Sequence, residues 1–105
     1  MIKYVALYRT PGNPEDFERK YFASHKPLID NVPGLVRQEI ARVTRTFVAG
    51  FLGESEPYLI AELYFESKEA MKAGFASPEW QAAGANLTEI GGMDLVAMFS
   101  AEVVE

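Results

Sequence analysis

The clearest alternation along the chain runs from Tyr58 to Phe65. Leu59, Ala61, Leu63 and Phe65 share one side there, and Tyr58, Ile60, Glu62 and Tyr64 share the other. That period of two predicts a strand. Ile2 to Tyr8, dense in β-branched and aromatic residues, predicts a strand buried on both faces. Leu35 to Val48 mixes polar and apolar positions around three arginines and predicts a long, partly exposed strand with a bulge near Ala41. Asp94 to Val103 predicts the last strand.

Between the first two strands the period lengthens. Thr10-Pro11-Gly12-Asn13 is a turn, and Pro14 suits the first helical position, with Glu15, Asp16 and Glu18 placed to meet the helix dipole. Phe17, Tyr21, Ser24, His25, Leu28 and Val32 fall within roughly 100° of a helical wheel, whereas Glu18, Arg19, Lys26 and Asp30 lie outside it. Pro27 predicts a break, because it lacks a donor, crowds the Ala23 carbonyl and pushes Lys26 away from helical angles. His25 is therefore expected at the C-terminal end of one helical segment. Leu28 to Asn31 would form a further short turn, and Pro33-Gly34 would end the element. A helix C-terminus favours the imidazolium and burial favours the neutral ring, so the two act in opposite directions on His25.

A second helical region begins at Ser67, a good N-cap, and carries Met71 and Phe75 four residues apart. Ser77-Pro78-Glu79 reads as a fresh helix start. Trp80, Ala83 and Leu87 continue the inner stripe until Gly91-Gly92. The connection Gly50 to Pro57, with two glycines and two glutamates, is expected to be a mobile loop and a potential lid.

The order β-α-β-β-α-β predicts an α+β, ferredoxin-like arrangement: a four-stranded antiparallel sheet with its helices on one face. The other face would still carry Ile60 and Tyr64. A second copy of the chain covers such a face most simply, so a homodimer through the open sheet face is expected.

A chain of 105 residues suits one domain spanning 1–105. Its net charge of −5, with no basic run, argues against a nucleic-acid or anionic-membrane partner. Without cysteine there is neither disulfide nor thiolate chemistry, which fits a reducing compartment. The opening MIKYVALYR is too short an apolar run for a signal peptide, and no segment reaches membrane-spanning length, so a cytoplasmic protein is expected.

The stretches IKYVALYR, PEDFERKY, HKPLIDNVPGL and FASPEW together resemble the EthD-type family within the dimeric α+β barrel superfamily, with HxPL…PGL the most specific part. The resemblance implies two subunits packed sheet against sheet, each with a pocket between its helices and its sheet. Relatives in that superfamily include cofactor-independent lactone isomerases, polyketide cyclases, small monooxygenases and, more distantly, haem-binding enzymes. The motif's histidine matches His25, at the mouth of the implied pocket, and no second catalytic residue carries over by motif.

The candidate chemistry centres on His25 as a general acid/base, a role worth about 10²–10⁴ in rate. The plainer reading is a histidine that caps backbone carbonyls and packs. Among Tyr4, Tyr21 and Tyr64, Tyr21 is the best placed to hold an enolate, one turn before His25 on nearly the same face; a buried tyrosine bonded to backbone is the commoner case. Glu62 is expected to pair with Arg37, Arg42 or Arg45 on the open sheet face rather than to act as a carboxylic acid with a raised pKa. Leu63, Phe65, Phe75 and Trp80 would line a cavity for a flat or apolar ligand. A lone histidine offers no metal site, and no cofactor is expected, with a single axial haem ligand as a minor option. Two functions fit these features. One is cofactor-independent proton transfer (isomerase, cyclase or monooxygenase-like) on a small aromatic or lactone-type metabolite. The other is a non-catalytic small-ligand binding or accessory protein in catabolism.

Overall fold

Leu59, Ala61, Leu63 and Phe65, the apolar side of strand β3 (Pro57–Phe65), are each no more than 2% exposed and form the floor of the core. In the computed structural model, which describes residues 1–50 and 52–104, β3 pairs antiparallel with β1 (Ile2–Arg9) on one side and β2 (Leu35–Arg42) on the other. Strand β4 (Val96–Glu102) pairs antiparallel with β1, giving the spatial order β2-β3-β1-β4 expected of a ferredoxin-like fold. Ile40, Ala61, Ala6 and Met98 form one cross-strand row on the face that meets the helices.

The helical layer begins with α1 (Pro14–Lys20), where Asn13 accepts the Asp16 N–H at 3.1 Å and Pro14 fills the first turn. A π-helical turn (Tyr21–His25) leads into α2 (Lys26–Asp30). Ser67 caps α3 (Lys68–Phe75) through the Ala70 N–H, and Ser77 caps α4 (Pro78–Glu89) through the Trp80 N–H, both as the sequence predicts. No helix among the described residues is long and apolar enough to cross a membrane.

The second strand departs from expectation in two respects. It ends at Arg42 instead of running to Val48: β3 begins at Pro57, so residues past Val43, which still donates to the Tyr58 carbonyl, have no strand to pair with. The bulge lies between Leu35 and Arg37, not near Ala41. Val36 is the extra residue, and it shifts parity so that Leu35, Gln38 and Ile40 all face the helices. The last strand is likewise shorter than Asp94 to Val103.

On the open face Glu62 pairs with Lys3 at 2.6 Å rather than with an arginine, because the β1–β3 register sets Lys3 diagonally across from it. Arg37 instead pairs with Glu39 at 2.7 Å and lies over the Tyr64 ring, 3.9 Å from its centroid. Arg42 points to the helical side and binds Glu18 of α1, while Arg45 lies over Phe47. Within the Gly50 to Pro57 connection Phe51 lies outside the described residues. Gly50 and Gly53 there take φ of +86° and +82°, and the described residues of the connection are not among those lining the cavity below the helices.

Candidate functional site

His25 is carried by a rod that does not break. Lys26 keeps helical angles (φ −54°, ψ −46°), and its N–H reaches back five residues to the Tyr21 carbonyl. Pro27 can donate no hydrogen bond and would crowd the Ala23 carbonyl in a tight helix; the wider turn just before it accommodates the ring without ending the rod. The expected break is thus a π bulge, and His25 lies inside the rod rather than at its end. The end-of-helix charge effect drops out and burial prevails. The side chain is 4% exposed, and desolvation holds its pKa below the ordinary value despite the opposing pull of Asn86 and of the Ala83 carbonyl.

Beside the Ala83 carbonyl, a run of side chains holds the ring. His25 Nδ1 meets Asn86 Oδ1 at 3.2 Å, Asn86 Nδ2 donates to Ser24 Oγ at 3.2 Å, and the Ser24 hydroxyl donates to the Lys20 carbonyl at 2.7 Å. Asn86 belongs to α4, so the linkage ties the π turn to the second half of the chain.

Beneath the rod lies a cavity of about 330 Å³. It exists because small side chains face each other across it: Ala6 and Ala61, paired in the sheet, lie below Ala83 and Gly84 of α4. Aromatic rings make up much of its lining. Tyr4 meets Phe75 at 5.3 Å and Trp80 at 5.2 Å, both edge-to-face, while Tyr21 stands 5.4 Å from Tyr8 and 5.0 Å from the His25 ring. Burial raises all three phenols that line the cavity, Tyr4 and Tyr21 to about 12 and Tyr8 upward as well. At neutral pH they are therefore uncharged hydroxyls able to donate. Met93 and Met98 complete the lining beside β4.

The structure brings Tyr21, His25, Leu63, Phe75 and Trp80 to one cavity. Phe65 is not among the lining residues: it is fully buried beneath Phe75, edge-to-face at 5.7 Å, where the end of β3 runs under α3. Tyr4 reaches the cavity, and Tyr64 lies on the opposite sheet face. Sequence reasoning missed Tyr8, although it shares parity with Tyr4 and Ala6 along β1. It also missed Asn86, whose signal was a polar residue three positions beyond Ala83 on the inner stripe of α4.

A helix-roofed α+β sheet enclosing an apolar cavity with one imidazole and several phenols is the class that this geometry defines. The model of the EthD domain matches residues 9–89, and the chain belongs to the EthD domain family. An uncharacterized 11.0 kDa protein of the thcB-thcC intergenic region of Rhodococcus erythropolis is 32% identical, covering 97% of this chain and 95% of that one. The crystal structure of an EthD family protein from Bacillus halodurans superposes with a TM-score of 0.87 at 28% identity, covering 99% of each chain. SnoaB from Streptomyces nogalater, a cofactor-independent oxygenase, shares the fold with a TM-score of 0.62 at 17% identity, covering 99% of this chain and 92% of that one.

Proposed function

We propose that this protein is a small-molecule enzyme that moves a proton on a neutral aromatic or lactone-type metabolite without a cofactor. His25 is the acid/base and Tyr21 the hydrogen-bond donor to developing oxyanion charge. The observation that carries this reading is a nearly inaccessible imidazole that nevertheless lines a ligand-sized cavity and is held by Asn86. A ring kept neutral by burial is ready to accept a proton at neutral pH.

In such a step the neutral ring removes a proton from a carbon next to a carbonyl. The C–H electron pair becomes a carbon–carbon double bond, and the carbonyl pair moves onto oxygen. The Tyr21 hydroxyl stabilises that oxygen. Returning the proton to a different atom yields an isomer, with neither oxidant nor reductant consumed. No lysine or arginine lines the cavity among the described residues, which favours an uncharged substrate, and the Phe75–Trp80 wall favours a flat one. SnoaB, described as a cofactor-independent oxygenase, carries out a different, oxidative reaction, and its relevance is that it does so on the same fold without a cofactor.

The homodimer belongs to the same reading. Phe99 is 51% exposed on the open sheet face, on the side that also carries Val5, Leu7 and Ile60, and a second copy would cover that side. So does a cytoplasmic setting, supported by a chain without cysteine.

The test is deuterium incorporation. Ketones and lactones incubated with the enzyme in heavy water should gain deuterium at the carbon beside the carbonyl, and His25→Gln should slow this by about 10²–10⁴-fold. Equal incorporation by both proteins would remove His25 from the reaction.

A further inference from the structure

The hydrogen bonds behind His25 can run in only one direction. The chain of contacts ends at the Lys20 carbonyl, which has no proton to give. Ser24 Oγ lies 2.7 Å from that oxygen and must spend its single proton there. Toward Asn86, at 3.2 Å, the same Oγ can then only accept, so the Asn86 atom facing it is the amide nitrogen. That turns the amide oxygen to His25 Nδ1, 3.2 Å away. An amide oxygen also only accepts, so the contact with Asn86 calls for the proton of the neutral ring on Nδ1. The Ala83 carbonyl is a second acceptor beside the ring, and a proton drawn to it at Nε2 is the outcome that the test below must distinguish.

We infer that Asn86 is a positioning residue that holds His25 in its Nδ1–H form, leaving the Nε2 lone pair as the group that takes the proton from substrate. Free histidine in water prefers the opposite tautomer, with the proton on Nε2, so the protein imposes a form the side chain does not choose for itself. Burial keeps the ring neutral, and it is only in the neutral ring that the choice of nitrogen exists. Ser24 has the supporting part: with its proton committed to Lys20, the Asn86 amide cannot turn over without leaving two acceptors facing each other. The catalytic half of this inference rests on the proton-transfer reading above, whereas the tautomer stands on the direction of the hydrogen bonds through Asn86, Ser24 and Lys20.

His25 is the only histidine, so its two ring nitrogens can be observed without overlap. In long-range ¹H–¹⁵N spectra of the ¹⁵N-histidine-labelled protein, Nδ1 should appear protonated and Nε2 as a free lone pair at neutral pH. Asn86→Ala should move the population toward Nε2–H, and Ser24→Ala should do so to a smaller extent by freeing the amide to turn. Asn86→Asp, which keeps an acceptor in place and suits a charged partner, should retain the Nδ1 proton and raise the pH at which the ring titrates. In the deuterium assay Asn86→Ala should lower kcat by about tenfold or more with KM little changed. A wild-type ring protonated on Nε2, or one unaffected by Asn86→Ala and Asn86→Asp alike, overturns the inference. Should the tautomer be as assigned but no substrate exchange, the proton-transfer reading fails and Asn86 keeps only its structural part.

Discussion

The rings of Phe75 and Trp80 lie stacked, with centroids 4.1 Å apart and planes 19° from parallel, across the short break between α3 and α4. The Ser77 side chain spans that break by bonding both the Gly74 carbonyl and the Trp80 N–H, so the stack is set by the capping geometry of the second helix. Trp80 is also the only tryptophan, which makes the cavity wall its own reporter. Saturable quenching or a shift of Trp80 emission is expected when a neutral flat aromatic compound enters. His25→Gln should keep that signal, because the apolar wall rather than the imidazole supplies most of the contact area. Emission indifferent to a broad aromatic panel would mean that the cavity takes no such ligand.

Two helical glycines should respond to alanine with opposite signs. At Gly74 a Cβ would meet the Pro33 carbonyl oxygen at 2.7 Å and Phe65 at 3.1 Å, where backbone and a fully buried ring cannot give way. Gly74→Ala should cost about 1–3 kcal/mol in denaturant unfolding. At Gly84 nothing lies within 4 Å, so Gly84→Ala should add about 0.5–1 kcal/mol of helix stability. Because Gly84 lines the cavity, the same substitution should weaken ligand binding.

Acidification should destabilise the fold first through His25. Its folded pKa lies below the ordinary 6.5 because burial disfavours the charged ring. The unfolded chain therefore takes up a proton that the native ring refuses. The contribution is fully present above 6.5 and is lost as pH falls from there through the lower native value. Urea midpoints of the wild type should drop between about pH 7.5 and pH 5, and those of His25→Gln should stay flatter across that window. Asp16, held low by Lys20 and Arg19, and Glu18, held low by Arg42 and Tyr58, give up their share only at more acidic pH. A wild-type curve parallel to that of His25→Gln would contradict a buried neutral imidazole.

The homodimer expectation is checked by mass in solution. Light scattering should give two chains per particle. Phe99→Glu, which places a charge beside Val5 on the apolar side of the open face, should shift the population toward single chains at micromolar concentration. A wild type that runs as one chain at every concentration would leave the open face to water.

Much of this protein was legible in the one-dimensional pattern. The alternation of β3 placed Leu59, Ala61, Leu63 and Phe65 in the core, and local signals located the helix starts at Pro14, Ser67 and Ser77, because parity along a strand and capping at a helix end depend on a few adjacent residues. The motif around His25 pointed to the family. What tertiary packing decided is different in kind. A proline read as a break became a π bulge because α4 and the sheet hold the rod together on both sides of it. Glu62 took Lys3 because of register, which no single strand reveals. Phe65 and Phe75, both apolar and both inward, parted between solid core and cavity wall according to which small residues lay opposite. Asn86 and His25, 61 residues apart, became partners only once two helices lay side by side. Short-range order is written in neighbouring residues, whereas a cavity and the side-chain pairings at its edge arise from distances between segments that the chain specifies only by folding.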